Sequence, residues 1–334
     1  TLAAAYSSPS TPTRTLTVAC RSKEGLLLNT EVMDRMCTDG PQEGGREGNS
    51  TAESDAKPHY FGHVSTPQRD SGPALHTQLV LQQYNNAPIR RGRLVIFNNR
   101  VFQPHTNLAE RTGADVDENS LQECFTLLGF AIDTPRRNLS AKDIKEELKK
   151  LGEEDYRNHD CFVCCFLTHG TDKDTLYASD GNRVSVDDVM APFHGDKCRS
   201  LRGKPKLFFI QACRGGKLQR GISLDSADAR GVGIRIPTHA DFLVAYSTVP
   251  GFVAWRDPER GSWFVQRLCS VLLELAPSTD LLHMLTVVCK RVAFPEQNEV
   301  AVKMGGEEII AKQMPCFTST LTHLVYFSRS YPTS

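Results

Sequence analysis

The sequence contains no long apolar run and no excess of charge of either sign. Its 334 residues include 39 Lys and Arg against 39 Asp and Glu, so the chain has no net field to attract nucleic acid or an anionic membrane. No apolar stretch reaches the roughly 18 residues of a membrane span, and Leu26–Leu28 is too brief for a signal peptide. We therefore expect no nucleic-acid partner and no membrane association.

Common nucleotide and metal motifs are also missing. The chain has no GxxxxGKS or GxxxxGKT loop, no GxGxxG and no HExxH, and Asn98 to Arg100 offers no glycine-rich turn after the first predicted strand. A doubly wound nucleotide-binding protein is therefore disfavoured. Cys161 and Cys164 form a lone CxxC with apolar residues between them, which favours a buried strand over a metal site. No metal ion is expected.

Cysteine usage indicates the compartment. The eleven cysteines are an odd number, lie inside apolar segments and lack the spacing of a disulfide framework. That pattern is typical of a reducing environment, so a cytoplasmic location is predicted.

Apolar segments are scarce near the start of the sequence and recur from about Pro88 to Phe327. Thr1 to Lys57 is rich in Ser, Thr, Gly and Glu, most strongly between Gly40 and Asp55, and cannot bury enough apolar surface to fold. The later segments are sufficient to close one large core. The composition predicts one globular domain behind a disordered leader.

The apolar segments predict alternating strands and helices. Strands buried on both faces are predicted at Arg93–Asn98, Cys161–Leu167, Leu207–Ile210 and Asp241–Thr248. Helices are predicted at Leu121–Phe130, after Ser140, around Val184–Phe193, after Ser262 and after Asp280. Residues 249–261 and 294–314 are predicted to be loops, the first of them exposing Trp255 and Arg256. The alternating segment Thr318–Phe327 is predicted to be an edge or interface strand.

Two of the predicted central strands end in reactive residues. His169 follows one strand and Cys213 another, 44 positions later, which is the spacing of a βαβ unit. Parallel strands of such a unit finish at the same edge of the sheet, where open α/β sheets bind ligands. Taken singly, each residue has a plainer interpretation, as a buried inert thiol and as a histidine bonded to a loop carbonyl.

Together the two residues suffice for thiol proteolysis. An imidazole helps to hold the sulfur as a thiolate and later protonates the leaving amine, and Gly170 can bring its N–H close to an oxyanion. Arg111, Gln211 and Arg256 lie in loops or at strand ends that can converge on the same edge, where two guanidinium groups would bind a carboxylate. Each arginine alone is more typical of a solvated loop.

These residues also match a known family. QACRG at Gln211–Gly215 is a caspase signature, and several longer segments resemble short-prodomain executioner caspases. The segments are ERTGADVD, LTHG, HGDKCRSLRGKPKLF, DFLVAYSTVPGFVAWR, RGSWFVQRLC and QMPCFTSTLTHLVYF. The resemblance covers roughly Gly92 to Ser328.

The resemblance implies a single α/β domain with a central, mostly parallel six-stranded sheet and helices on both faces. It divides the chain into a leader (residues 1–75), a large catalytic subunit (76–225), an intersubunit linker (226–237) and a small subunit (238–334). It further implies an aspartate-specific cysteine endopeptidase that is made as a zymogen, acts in apoptosis and needs no cofactor.

The resemblance also implies roles for individual residues. Cys213 would be the nucleophile and His169 the acid and base, with the N–H groups of Gly170 and Cys213 as oxyanion donors. The substrate aspartate would be bound by Arg111, Gln211 and Arg256. Neighbouring subsites would be lined by Trp255, Trp263 and Val253, and processing would follow Asp225 or Asp228 in the linker region and Asp55 or Asp70 in the leader.

The implied partners are protein substrates cut after Asp, an upstream initiator protease and inhibitor-of-apoptosis proteins. A homodimer is implied as well, paired through the last strand. Because the leader contains no evident recruitment domain, activation by a separate initiator is expected. The competing hypothesis is a catalytically silent caspase-like regulator acting by heterodimerisation, which is disfavoured because Cys213, His169 and the three pocket residues are all present.

Two positions depart from the executioner pattern. Val253 replaces a usual aromatic residue, and Asp257 replaces a small neutral polar residue. Because Pro258 follows Asp257, a turn-initiating role is the preferred interpretation. If the carboxylate instead faces the distal subsite, its charge would weaken a preference for Asp four residues before the cut.

Overall fold

The computed structural model describes residues 17–18, 82–84, 88–171, 173–216, 240–276, 278–295, 301–304 and 307–328. The strands are β1 (Thr17–Val18), β2 (Gly92–Asn98), β3 (Ala131–Ile132), β4 (Arg136–Arg137), β5 (Cys161–Leu167), β6 (Thr175–Tyr177), β7 (Arg183–Ser185), β8 (Lys206–Gln211), β9 (Phe242–Tyr246), β10 (Trp255–Asp257), β11 (Gly261–Ser262), β12 (Ala301–Met304), β13 (Glu307–Ile310) and β14 (Cys316–Ser319). The α-helices are α1 (Ala114–Leu127), α2 (Ala141–Glu153), α3 (Val186–Met190), α4 (Trp263–Leu275) and α5 (Leu281–Ala293).

A central sheet organises the described part of the chain. Its strand order is β14-β9-β8-β5-β2-β3, and β4 also pairs with β2. Every pairing in it is parallel except β14 with β9. The predicted mostly parallel α/β sheet is confirmed. It has seven strands rather than six because Pro135, which has no N–H to donate, lies between the short strands β3 and β4.

Helices cover both faces of this sheet. Leu94 and Ile96 of β2 belong to a core cluster that also contains residues of α1, α4 and α5. Val95 and Phe97 belong to a second cluster with residues of α2 and α3. Because each face of a central strand is buried against helices, the strands carry unbroken apolar runs, which is why their positions could be predicted.

The predicted helix starts after polar caps are confirmed. The side chain of Ser140 accepts a hydrogen bond from the N–H of Asp143 at the start of α2. Ser262 caps α4 and Asp280 caps α5 in the same way. Each cap satisfies backbone donors that have no partner within the helix.

Several sequence predictions need correction. The helix predicted at Leu121–Phe130 begins earlier, at Ala114, and ends at Leu127. The helix predicted around Val184–Phe193 begins at Val186, because the preceding residues form β7 and pair with β6. The predicted loop 294–314 contains the β12–β13 hairpin. The last strand ends at Ser319, because the Thr320 N–H turns to the Phe242 carbonyl. Beyond Ser319, two isolated parallel bridges, Leu324 with Gln83 and Phe327 with Ile89, take the place of a continuous strand within the described residues, and Val325 and Phe327 are buried in the core.

The leader and the linker are described only in part. Thr17–Val18 forms β1 and pairs antiparallel with β10, although this segment was predicted to be disordered. The candidate processing residues Asp55, Asp70, Asp225 and Asp228 lie outside the described residues. The division into leader, subunits and linker therefore stays a prediction. None of the helices within the described ranges is long and apolar enough to cross a bilayer.

Candidate active site

The parallel pairing of β5 with β8 sets the positions of His169 and Cys213. Leu167 lies opposite Gln211 in the register, and the Thr168 N–H donates to the Gln211 carbonyl at 3.1 Å. His169 comes two residues after the end of β5, and Cys213 comes two residues after the end of β8. The two residues therefore lie at the same height along the edge of the sheet. Both side chains are buried. The predicted placement at one sheet edge is confirmed.

Gly170 permits the close approach of these two strand ends. A Cβ atom at this position would lie 2.3 Å from the Cys213 carbonyl oxygen and 3.0 Å from the Ala212 Cβ. A contact of 2.3 Å with backbone cannot be relieved by rotating a side chain, so any larger residue would displace the nucleophile's backbone. The role of the Gly170 N–H as an oxyanion donor stays a prediction.

The His169 ring is oriented by a backbone carbonyl. Its Nε2 lies 2.8 Å from the Ala109 carbonyl oxygen, which accepts only if Nε2 carries the proton. That tautomer leaves Nδ1 as an acceptor, and Nδ1 has no hydrogen-bond partner within the described residues. Burial lowers the pKa of His169 to about 3, helped by the positive charge of Arg111, while the hydrogen bond to Ala109 acts in the opposite direction. The imidazole is therefore neutral near pH 7.

The Cys213 sulfur lies against the segment that precedes β10. The Ala254 N–H donates to Sγ at 3.2 Å. Val253, Ala254 and Trp255 form a small apolar cluster with Cys213, and the half-buried Trp263 packs against it. The structure thus brings the three predicted subsite residues to the nucleophile.

Arg111, Gln211 and Arg256 define the candidate aspartate pocket, and all three are at most 1% exposed. The Arg256 Nε donates to the Thr112 carbonyl at 2.7 Å, and the Arg111 N–H donates to the Arg100 carbonyl at 2.9 Å. Neither polar atom of the Gln211 amide has a hydrogen-bond partner among the described residues. The interpretation of either arginine as a solvated loop residue is wrong.

The prediction that a loop exposes Trp255 and Arg256 is also wrong. Both residues lie in β10, which pairs with β11 on one edge and with β1 on the other. Trp255 is fixed further by the hydrogen bond from its N–H to the Gln313 side chain at 2.6 Å and by that from its Nε1 to the Lys312 carbonyl at 3.1 Å. Strand pairing and these bonds satisfy the polar groups that burial removes from water.

Arg214 holds the loop of the nucleophile, and the sequence analysis missed this. Its Nε and one terminal nitrogen donate to the two carboxylate oxygens of Asp174 at 2.6 and 2.7 Å. The guanidinium also lies 3.9 Å from the ring centroid of Tyr246. An arginine next to a cysteine offers no signal in sequence for such long-range partners. Ala109 was missed for a related reason, because a backbone carbonyl leaves no mark in the sequence.

Asp257 initiates a turn. Its Oδ1 accepts hydrogen bonds from the N–H groups of Glu259 and Arg260 at 2.8 and 3.0 Å. The structure therefore agrees with the preferred interpretation of this departure from the executioner pattern.

A parallel α/β sheet with a cysteine and a histidine at adjacent strand ends has the architecture of a cysteine protease. A family model described as "Caspase domain" matches residues 91–326. The chain belongs to the caspase family of proteases.

Named relatives agree with this assignment. The chain is 42% identical over 250 residues to Caspase-1 of Spodoptera frugiperda, covering 74% of this chain and 81% of that protein. It is 40% identical over 252 residues to Caspase-7 of Gallus gallus, covering 73% and 80% respectively. The crystal structure of Caspase-1 from Spodoptera frugiperda matches with a TM-score of 0.65 at 38% identity, covering 81% of this chain and 99% of that one.

Proposed function

We propose that this chain is an aspartate-specific cysteine endopeptidase of the executioner type. The observation that carries the proposal is the placement of His169 and Cys213 at the same level of adjacent parallel strands. Arg111 and Arg256 are buried, and their segments contact the two reactive residues. The Ala109 carbonyl lies within hydrogen-bond distance of His169, and the Ala254 N–H donates to the Cys213 sulfur.

The geometry supports a two-step acyl transfer. His169 Nδ1 takes the Cys213 proton, and the thiolate attacks the scissile carbonyl to give a tetrahedral oxyanion. The N–H groups of Gly170 and Cys213 would donate to this oxyanion. When it collapses, the imidazolium gives its proton to the leaving amine and a thioester remains. His169 then deprotonates a water that attacks the thioester, and the released acid and thiol restore the enzyme.

Charge and strand pairing would select the substrate. Arg111 and Arg256 would bind the aspartate carboxylate before the cut, and the Gln211 amide would donate a further hydrogen bond. The residues preceding that aspartate would pair with β10 on the edge that β1 occupies. The pairing of β1 supports this step, because it demonstrates that the edge accepts an extended segment.

The executioner assignment extends to regulation. The chain would be a cytoplasmic zymogen, cut by an initiator protease after Asp225 or Asp228 and trimmed after Asp55 or Asp70. The sheet ends in β14, an antiparallel edge strand through which two copies would pair across a two-fold axis. Inhibitor-of-apoptosis proteins would be its regulators and apoptotic protein substrates its targets.

The proposal is tested with fluorogenic tetrapeptides that differ only in having Asp, Glu or Asn before the cut. We expect cleavage of the Asp peptide at least about 100-fold faster than of the Asn peptide, because a neutral amide cannot replace the substrate carboxylate between the two guanidinium groups. Cys213→Ala serves as the inactive control. If the protein cleaves none of the peptides after treatment with an initiator caspase, the alternative of a silent regulator replaces the proposal.

A further inference from the structure

Asp117 is a buried carboxylate that the mechanism above does not use. It lies in the first turn of α1, and its relative exposure is 0%. Its Oδ1 accepts hydrogen bonds from the Ser262 N–H at 2.7 Å and from the Gln266 Nε2 at 3.2 Å. Burying a carboxylate is costly unless its charge is compensated, so its presence here requires a reason.

The contact between Asp117 and β11 depends on a glycine. Gly261 has a φ of +84°, and a Cβ atom there would lie 2.5 Å from the Asp117 Oδ1 and 2.6 Å from the Gln266 Nε2. An alanine would be strained by the backbone conformation and would also push the carboxylate away. The absence of a side chain at Gly261 therefore provides the space that the Asp117 carboxylate occupies.

This position adjoins the aspartate pocket. Ser262, which donates to Asp117, is the register partner of Arg256 across the β10–β11 pairing. From the other side, Arg256 donates through Nε to the Thr112 carbonyl, in the segment that leads into α1. Burial raises the pKa of the Asp117 carboxyl above its usual value, and the positive charge of Arg111 acts in the opposite direction.

Asp117 differs from the other buried acids in its partners. Glu118 is ion-paired with Arg137, Asp280 with His283, and Asp241 accepts from two hydroxyl groups. Within the described residues, Asp117 forms no ion pair closer than 4 Å, and its Oδ2 has no hydrogen-bond partner. Its charge therefore acts on the pocket at longer range.

We propose that Asp117 is a specificity-determining residue, whose fixed negative charge offsets part of the positive charge of Arg111 and Arg256. The pocket then keeps about one unit of excess positive charge, which matches a single substrate carboxylate. The charge limits how strongly the pocket binds other anions, so that small anions do not block the site. This inference rests on the proposed function, because it assigns a role within the aspartate pocket.

The test uses Asp117→Asn in the processed enzyme, produced from the full chain. Asparagine has nearly the same shape and keeps an oxygen acceptor for Ser262 and Gln266, so the main change is the loss of the negative charge. The measurement is the competitive inhibition constant of inorganic sulfate against the Asp tetrapeptide, at constant ionic strength, with kcat and KM determined in parallel. We expect the sulfate constant to fall about tenfold and the KM for the Asp peptide to fall, with kcat changed by less than about threefold.

Glu123→Gln is the matched control, because it removes one negative charge from the exposed side of the same helix. We expect its sulfate constant to equal that of the wild type. Gln266→Lys is a second variant that keeps Asp117 but places a cation beside its carboxylate. It should reproduce the increase in sulfate inhibition, and it replaces the first variant if Asp117→Asn does not fold.

A purely structural role for Asp117 predicts the opposite pattern, with a raised KM, a lowered melting temperature and no change in sulfate inhibition. That result in either variant overturns the inference and leaves the proposed protease activity intact. If the wild type shows no preference for Asp over Asn, the proposed function and the inference fail together.

Discussion

Replacing Gly170 by alanine should damage catalysis far more than folding. The new Cβ would lie 2.3 Å from the Cys213 carbonyl oxygen, which is more than 1 Å inside the 3.4 Å at which ordinary contacts begin. The neighbour is backbone, so the strand end carrying the nucleophile must move by about 1 Å. A displacement of that size at reacting groups lowers rates by about 100-fold, and we expect this loss in kcat/KM for an Asp tetrapeptide.

Gly195→Ala provides the control for this prediction. A Cβ atom at Gly195 would meet only the Arg202 side chain, at 3.6 Å, which is an ordinary contact. We expect its kcat/KM to stay within about twofold of the wild type. A Gly170→Ala enzyme that retains kcat/KM within threefold of the wild type would refute the reasoning about the two strand ends.

Three further predictions follow from the site. The pKa of His169 is lowered to about 3 in the folded state. Between about pH 6.5 and pH 3 only the unfolded state takes up this proton, so the free energy of unfolding should decrease as the pH is lowered. His169 should account for about 2 kcal/mol of the decrease in the free energy of unfolding between about pH 7.5 and pH 5. In urea unfolding experiments, the His169→Gln variant should lack this part of the decrease. In enzyme that keeps its leader, Val18→Pro, which removes an N–H from the strand paired with β10, should lower the KM for peptides about threefold without changing kcat; an unchanged KM would contradict competition by β1. Asp257→Asn should leave the preference four residues before the cut unchanged in a positional substrate library, since an amide oxygen preserves the turn; a shift toward Asp there would show that the carboxylate faces substrate.

The central sheet was predictable because its pattern is local. A strand buried on both faces must be apolar at every position, and Cys161–Leu167 was predicted with the bounds that the structure has. The caps Ser140, Ser262 and Asp280 were predictable because a cap bonds to residues only two or three positions away. The adjacency of the two strands that precede His169 and Cys213 was predictable from the spacing of a βαβ unit.

The burial of the pocket was not predictable from the residues alone. Arg256 is enclosed because β10 pairs with distant segments and because Thr112, 144 positions earlier, accepts from its side chain. No local pattern distinguishes such an arginine from one in water. The end of the chain differs from a regular strand, because Val325 and Phe327 reach the core while Leu324 and Phe327 pair through isolated bridges with Gln83 and Ile89.

Covalent labelling of Cys213 tests the central claim most directly. An aspartyl acyloxymethyl ketone loses its carboxylate leaving group to an activated thiolate, and intact and peptide mass spectrometry locate the thioether that forms. The account predicts labelling of Cys213 in the processed enzyme, no labelling at this position in Cys213→Ala, and labelling at least about 100-fold slower with the asparaginyl form of the probe. Equal labelling by both probes, or labelling of other cysteines in place of Cys213, would contradict it.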